Sequence, residues 1–120
     1  MARIAITDGM AAAAISMLER EGHEVVLAHY ETDALANGIL SDFDAVVVRS
    51  ATKLTDEVIS ASCGESSGLQ LIGRAGVGVD NIDLSTATKN GVLVCNTPGS
   101  STQSVVELTI GHLLASVRHI

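Results

Sequence analysis

The 120-residue sequence has no tryptophan, one tyrosine (Tyr30), one phenylalanine (Phe43) and one proline (Pro98). A core without large aromatics has to be filled by Val, Ile, Leu and Ala. With 47% hydrophobic residues the chain carries enough apolar material for a packed interior and too much for a disordered tail. That small aliphatic palette suits parallel strands covered by helices on both faces and argues against a sandwich built around aromatics. Basic residues are scarce as well: 7 Lys and Arg stand against 14 Asp and Glu, a net charge of −7. Nucleic-acid binding draws its affinity from the opposite balance, so that class is set aside. Cys63 and Cys95 are too far apart for a CxxC redox or zinc pair, and without a secretory leader they read as reduced thiols. The start, MARIAITDG, has the pattern of a strand rather than of a signal peptide. No run approaches the roughly 18 apolar residues of a membrane helix. The expectation is a soluble, cytoplasmic chain of one domain with no membrane or nucleic-acid partner.

Apolar clusters alternate in type along the chain. Ile4–Ile6 reads as a strand, residues 11–21 as a helix stopped by Gly22, and Val25–Leu27 as a second strand. Residues 31–40 can form a short helix. Ala45–Val48 is apolar throughout, as a strand buried on both faces would be. Thr55, followed by Asp56 and Glu57, has the form of a helix N-cap with acids in the first turn. Beyond the polar loop CGESSG at 63–68, Leu69–Ile72 predicts strand four, Asp83–Asn90 a helix and Val92–Val94 strand five. A long helix from about Ser101 to Arg118 follows Pro98-Gly99. Strand and helix alternate five times, which predicts a doubly wound, flavodoxin-like α/β fold with a five-stranded parallel sheet. In such sheets ligands sit at the carboxyl ends of the strands.

Three segments at those ends carry chemistry. Arg49-Ser50-Ala51-Thr52 follows strand three, where a guanidinium is suited to a carboxylate or phosphate; a surface Arg capping the strand end, with or without an acid partner, is an equal reading. Gly73-Arg74-Ala75-Gly76-Val77-Gly78-Val79-Asp80-Asn81 follows strand four, and its glycines can turn backbone N–H groups outward as an anion nest. The alternative is a tight turn with Asp83 capping the next helix. This segment is no dinucleotide fingerprint, because Asn81 stands where GxGxxG needs its last glycine. Asn96 to Ser104 places hydroxyls around a Pro-Gly break, and ordinary helix capping is the favoured reading there. No nucleophile elbow, zinc-protease motif or P-loop is present. His112 and His119 lie seven apart on one helix without carboxylate or Cys support, so they read as solvent-facing rather than as metal ligands. No catalytic and no metal-binding residue is assigned.

Taken together, VVVRSATKLT, LQLIGRAGVGVDNIDL, GVLVCNTPG and SVVELTIGHLLA resemble the D-isomer-specific 2-hydroxyacid dehydrogenases, and RSATKLT favours the phosphoglycerate-oxidising branch. The resemblance spans nearly the whole chain. It implies that residues 1–98 are the amino-terminal part of a substrate-binding domain. Residues 99–120 would be a hinge and the start of a helix crossing into a Rossmann cofactor domain. The family's cofactor fingerprint and its catalytic Arg, Glu and His would lie beyond Ile120, leaving this stretch inactive by itself. By position, Arg49, Ser50, Val77, Gly78 and Ser101 are implied to bind substrate, while Val77 and Thr102 approach the cofactor, NAD. The implied substrate is a small anionic 2-hydroxy or 2-keto acid, and the implied assembly a homodimer or higher homo-oligomer. Two departures stand out: Ser101 replaces an Asn common in the phosphoglycerate branch, and CGESSG is longer than usual.

Rival readings remain within reach of the sequence. A glyoxylate/hydroxypyruvate reductase shares the Gly-rich turn, and the family's non-enzymatic corepressor relatives share the scaffold but need a hydrophobic peptide groove. A signalling receiver domain has the same sheet, yet requires paired acids after strand one, where only Asp8 is found.

Overall fold

A computed structural model describes residues 1–64 and 68–120. The elements are β1 (Arg3–Ile6), α1 (Ala12–Arg20), β2 (Glu24–Leu27), α2 (Thr32–Ala36), β3 (Ala45–Val48), α3 (Asp56–Ser62), β4 (Leu71–Arg74), α4 (Leu84–Lys89), β5 (Leu93–Asn96) and α5 (Thr102–Arg118), with a 3₁₀ turn at Ile39–Asp42. All four strand pairings are parallel and the order is β2-β1-β3-β4-β5. This is the expected flavodoxin-like arrangement, whose order reverses direction between β1 and β3.

Local rules account for most element ends. Gly22 adopts φ +86° just past α1, and the His23 amide closes back on Leu18 O at 3.2 Å, a glycine-terminated helix stop. Thr55 Oγ1 accepts from Val58 N and Asp83 Oδ1 from Thr86 N, so both expected N-caps are in place. Two expectations need correction. The stretch 31–40 is not one helix: Gly38, at φ +82°, separates α2 from the 3₁₀ turn. Strand four runs two residues later than its apolar cluster, and strand five begins one residue later and ends two later. The amides of Gln70 and Leu71 both donate to Asp44 O at 2.8 and 3.2 Å, so the ladder proper opens only at Leu71, and polar Asn96 is drawn into β5 opposite Arg74. The expectation for CGESSG falls partly on residues 65–67, which lie outside the described residues.

Gly38 shows why the chain cannot straighten there. A Cβ at this position would stand 2.6 Å from the Ala61 carbonyl oxygen on α3, and a left-handed backbone costs any L-residue about 1–2 kcal/mol. Gly38→Ala is therefore expected to lose at least that much stability, read as a lower urea midpoint at unchanged slope.

The core divides between the two sheet faces. On one, Ala5, Val46, Val48 and Ile72 meet Leu35, Leu40, Val58, Ile59 and Ala87 from the helices. On the other, α1 alone provides cover, setting Ile15 and Leu18 against Ile4, Ile6 and Val25. The β4–β5 end of that second face is bare: Leu93 is 66% exposed and Cys95 beside it is exposed. Helix α5 leaves the body altogether. It has no buried residue, although an all-round apolar helix is expected to be covered on several sides. The sheet covers none of it, and Val105, Leu108, Leu113 and Val117 are 56–67% exposed. The radius of gyration is accordingly 16.9 Å, against about 13.6 Å for a rounded chain of this length.

Candidate functional site: an anion clamp at the sheet switch point

The chain reversal between β1 and β3 opens a crevice at their carboxyl ends, the position where sheets of this type bind ligands. Thr7-Asp8 leaves β1 there and Arg49-Ser50 leaves β3. The Asp8 carboxylate, its side chain only 3% exposed, organises this corner. Oδ2 accepts from the amides of Arg49 (2.8 Å) and Thr52 (3.0 Å). The Thr52 hydroxyl donates to Oδ1 at 2.6 Å and lies 2.8 Å from the Thr7 hydroxyl. Burial alone pushes the Asp8 carboxyl up. The hydrogen bonds from the Thr52 hydroxyl, the Thr52 amide and the Arg49 amide, with a smaller contribution from His29 4.0 Å away, outweigh it and hold the group below the ordinary aspartate value. A depressed folded value means that the stabilisation is fully present above the unfolded aspartate range. It is lost only as the pH falls through the lower folded value, so Asp8 stays charged at neutral pH.

Arg49 is held by its backbone alone. Its N–H donates to Asp8 and its C=O accepts from Asn81 Nδ2 at 2.8 Å. Among the described residues its exposed guanidinium has no acidic partner within 4.0 Å, since the ion pairs there are Arg3–Glu24 and His29–Asp8. Among the described residues this speaks against an acid-paired Arg49 and leaves open a surface Arg at a strand end. Ser50, also exposed, gives its C=O to Lys53 Nζ at 3.4 Å.

The Gly-rich turn after β4 lies directly alongside. Ala75 N donates to Val48 O at 2.9 Å, and the turn returns through Asn81, whose own C=O accepts from Leu54 N at 2.8 Å. From the other side Asn96 Nδ2 donates to Val77 O and Thr97 N to Gly76 O, both at 2.9 Å. Those bonds use carbonyls only. Among the described residues the amides of Val77 and Gly78 donate to no protein acceptor, and both residues are exposed, the form an anion nest takes. A Cβ at Gly76 would lie 2.8 Å from Arg74 Cζ, a contact the flexible guanidinium can relieve by shifting. The half-buried Arg74 guanidinium folded over it gives Nη1 to Ala75 O at 2.9 Å and leaves Nε buried without a partner.

The structure thus brings Arg49, Ser50, Val77 and Gly78 to one edge of the sheet. Ser101 and Thr102 sit exposed where α5 begins, and Ser101 makes no side-chain cap, so the capping expected of it is absent. Three residues escaped the sequence reading. Asp8 and Asn81 carry no motif of their own, and only the fold places them on either side of Arg49. Arg74 sat in plain view in GRAGVG, where its spacing of two from Gly76 was the available signal. Among the described residues there is no group of three or more potential metal ligands and no helix long and apolar enough to cross a membrane. His112 and His119 are both exposed, and Cys63 and Cys95 are free thiols.

Fold and site define a doubly wound α/β domain with outward-facing amides and an exposed guanidinium at the carboxyl edge of its sheet. The chain belongs to the D-isomer specific 2-hydroxyacid dehydrogenase family, whose catalytic-domain profile it matches over residues 4–116. It is 44% identical over 120 residues, all of its length, to a D-3-phosphoglycerate dehydrogenase of Methanocaldococcus jannaschii, of which it covers 22%. It is 45% identical over 104 residues, 87% of its length, to a hydroxypyruvate reductase of Thermotoga maritima, of which it covers 32%. Among solved structures, the NAD+-bound 3-phosphoglycerate dehydrogenase of Entamoeba histolytica superposes with a TM-score of 0.78 at 34% identity, covering 95% of this chain and 38% of that one. The chain therefore spans between a fifth and a third of the length of these curated relatives.

Proposed function

We propose that the chain is the substrate-binding part of an NAD-dependent dehydrogenase that interconverts 3-phosphoglycerate and 3-phosphohydroxypyruvate, the step that commits carbon to serine. Residues 1–98 would form the substrate domain and 99–120 the hinge and crossing helix. The observation that carries this reading is a pair of amides, at Val77 and Gly78, and two guanidiniums, of Arg49 and Arg74, that find no acceptor and no acidic partner respectively among the described residues. Amides in a nest suit a carboxylate, and guanidinium forks suit a phosphate. A substrate with an anion at each end matches that set. Ser101 is proposed as a further substrate contact. The bare β4–β5 face and the uncovered α5 support the view that more protein packs here in the complete enzyme.

The described residues fit only one edge of a dinucleotide. Val77 is 47% exposed and can flank the nicotinamide, and Thr102 stands at the helix start. The first turn of the sheet offers no phosphate cradle, because the buried Asp8 carboxylate occupies it and would repel a pyrophosphate. When bound, the cofactor accepts the hydride from C2 of the substrate. This domain's contribution is to clamp and orient the anion so that C2 is presented. Titrating NAD into the isolated 120-residue chain by calorimetry is expected to give no saturable isotherm; a clear one would refute the division of labour proposed here.

A hydroxypyruvate reductase is the second reading, favoured by the equally high identity to the Thermotoga relative. The two are separated by kcat/KM of the complete enzyme on 3-phosphohydroxypyruvate and on hydroxypyruvate. Preference for the phosphorylated acid by tenfold or more is expected. Equal or reversed preference overturns the phosphoglycerate assignment and leaves the family intact.

A further inference from the structure

We propose that Asp8 and Asn81 are positioning residues that together form a clip on the Arg49 backbone, fixing the guanidinium arm of the anion clamp relative to its amide arm. The inference rests on the proposed dehydrogenase function. Both polar backbone atoms of Arg49 are engaged by side chains from other elements, N–H by Asp8 from the end of β1 and C=O by Asn81 from the turn after β4. The same two side chains take hold of Thr52, three residues on. Asp8 accepts from its amide and hydroxyl, and Asn81 donates to its carbonyl at 2.9 Å. Residues 49–52 are thus pinned at both ends by one carboxylate and one carboxamide.

The chemistry of the two is matched to the task. A buried carboxylate is acceptor-only and gathers three donors, whereas the carboxamide spends both of its N–H donors on two carbonyls. Asn81 also belongs to the segment that carries Val77 and Gly78, so it ties the two arms of the clamp to each other. Asn81 is 7% exposed and Thr52 3%, and the Asp8 side chain is buried to the same degree. Asn81 Oδ1 has no hydrogen-bond partner among the described residues but is buried, so neither clip residue presents an exposed polar atom to a ligand. Their role is exerted through Arg49, Ser50 and the neighbouring amides.

Two variants on opposite sides of Arg49 test this in the complete enzyme. Asp8→Ala removes the acceptor of the Arg49 and Thr52 amides; Asn81→Ser removes both donors to the carbonyls. A displacement of the clamp by a fraction of an ångström to an ångström is expected to raise KM for the 2-keto acid about tenfold or more. KM for the dinucleotide and kcat per active site should stay within about threefold. Hydrogen exchange over residues 45–55 should rise in both variants while the other strands keep their protection. Unchanged KM for the keto acid in both, or exchange that rises everywhere with KM unchanged, would show a merely structural role and overturn the proposal. Slow exchange at 45–55 that neither variant alters would overturn it as well. A wild-type enzyme that reduces no 2-keto acid removes the proposed function and the positioning role with it. The exchange pattern then still reports separately whether the clip exists.

Discussion

Replacing Arg49 by Ala in the complete enzyme is expected to lower kcat/KM for the phosphorylated substrate by roughly tenfold to a hundredfold, the 1.5–3 kcal/mol of a charge-assisted contact to an anion. The structure makes this an unusually clean substitution. Every hydrogen bond of Arg49 within the described residues runs through its backbone N–H and C=O, which Ala retains. The exposed guanidinium has no acidic partner to leave stranded, so stability should change by less than about 0.5 kcal/mol. Steady-state kinetics and thermal unfolding on the same preparation provide the check. Wild-type kcat/KM would reduce Arg49 to a surface residue, and a large loss of stability would point to a folding role instead.

The second large effect concerns α5. Val105, Val106, Leu108, Ile110, Leu113, Leu114 and Val117 are between 47% and 67% exposed, a contiguous apolar surface of the kind that marks an interaction site. None of its residues is buried by the other described residues, so the 120-residue chain by itself is expected to pair with a second copy through residues 101–118. A closed two-fold dimer is the form such pairing commonly takes. Sedimentation equilibrium over a wide concentration range should show a monomer–dimer equilibrium. A charge placed in the seam, Leu113→Glu, should raise the dissociation constant at least tenfold, about 1.4 kcal/mol. A monomer mass at every concentration, with the helix still ordered by circular dichroism, would show that the exposed helix is stable without a partner.

How far the site was legible in the sequence depends on the reach of the physics involved. Arg49 and the Gly76–Gly78 turn are local: each declares itself by following an apolar run at a strand end. Even so, the sequence left two meanings for Arg49, anion ligand or paired surface charge. Among the described residues no acid stands near its guanidinium, which speaks against the pairing and leaves the choice to the Arg49→Ala kinetics. Asp8 and Asn81 contribute through contacts 41 and 32 residues away in sequence, and nothing in their neighbours announces such partners. The strand offsets have a similar origin. Apolar clusters mark where a strand is buried, but the ladder starts where backbone groups find partners, and for β4 that is set by Asp44 O.

The sequence by itself determined the alternation of strand and helix, the aliphatic core, the helix stop at Gly22, the caps at Thr55 and Asp83, and the family. These follow from side-chain volume, backbone freedom and hydrogen bonds spanning a few residues. Tertiary structure alone decided the strand order that sets β1 beside β3, and with it the meeting of Asp8, Arg49 and Asn81. It also decided which surfaces stay bare. The apolar character of α5 was readable, but exposure is a property of what lies opposite a side chain. No arrangement of residues along one helix specifies whether another surface comes to meet it.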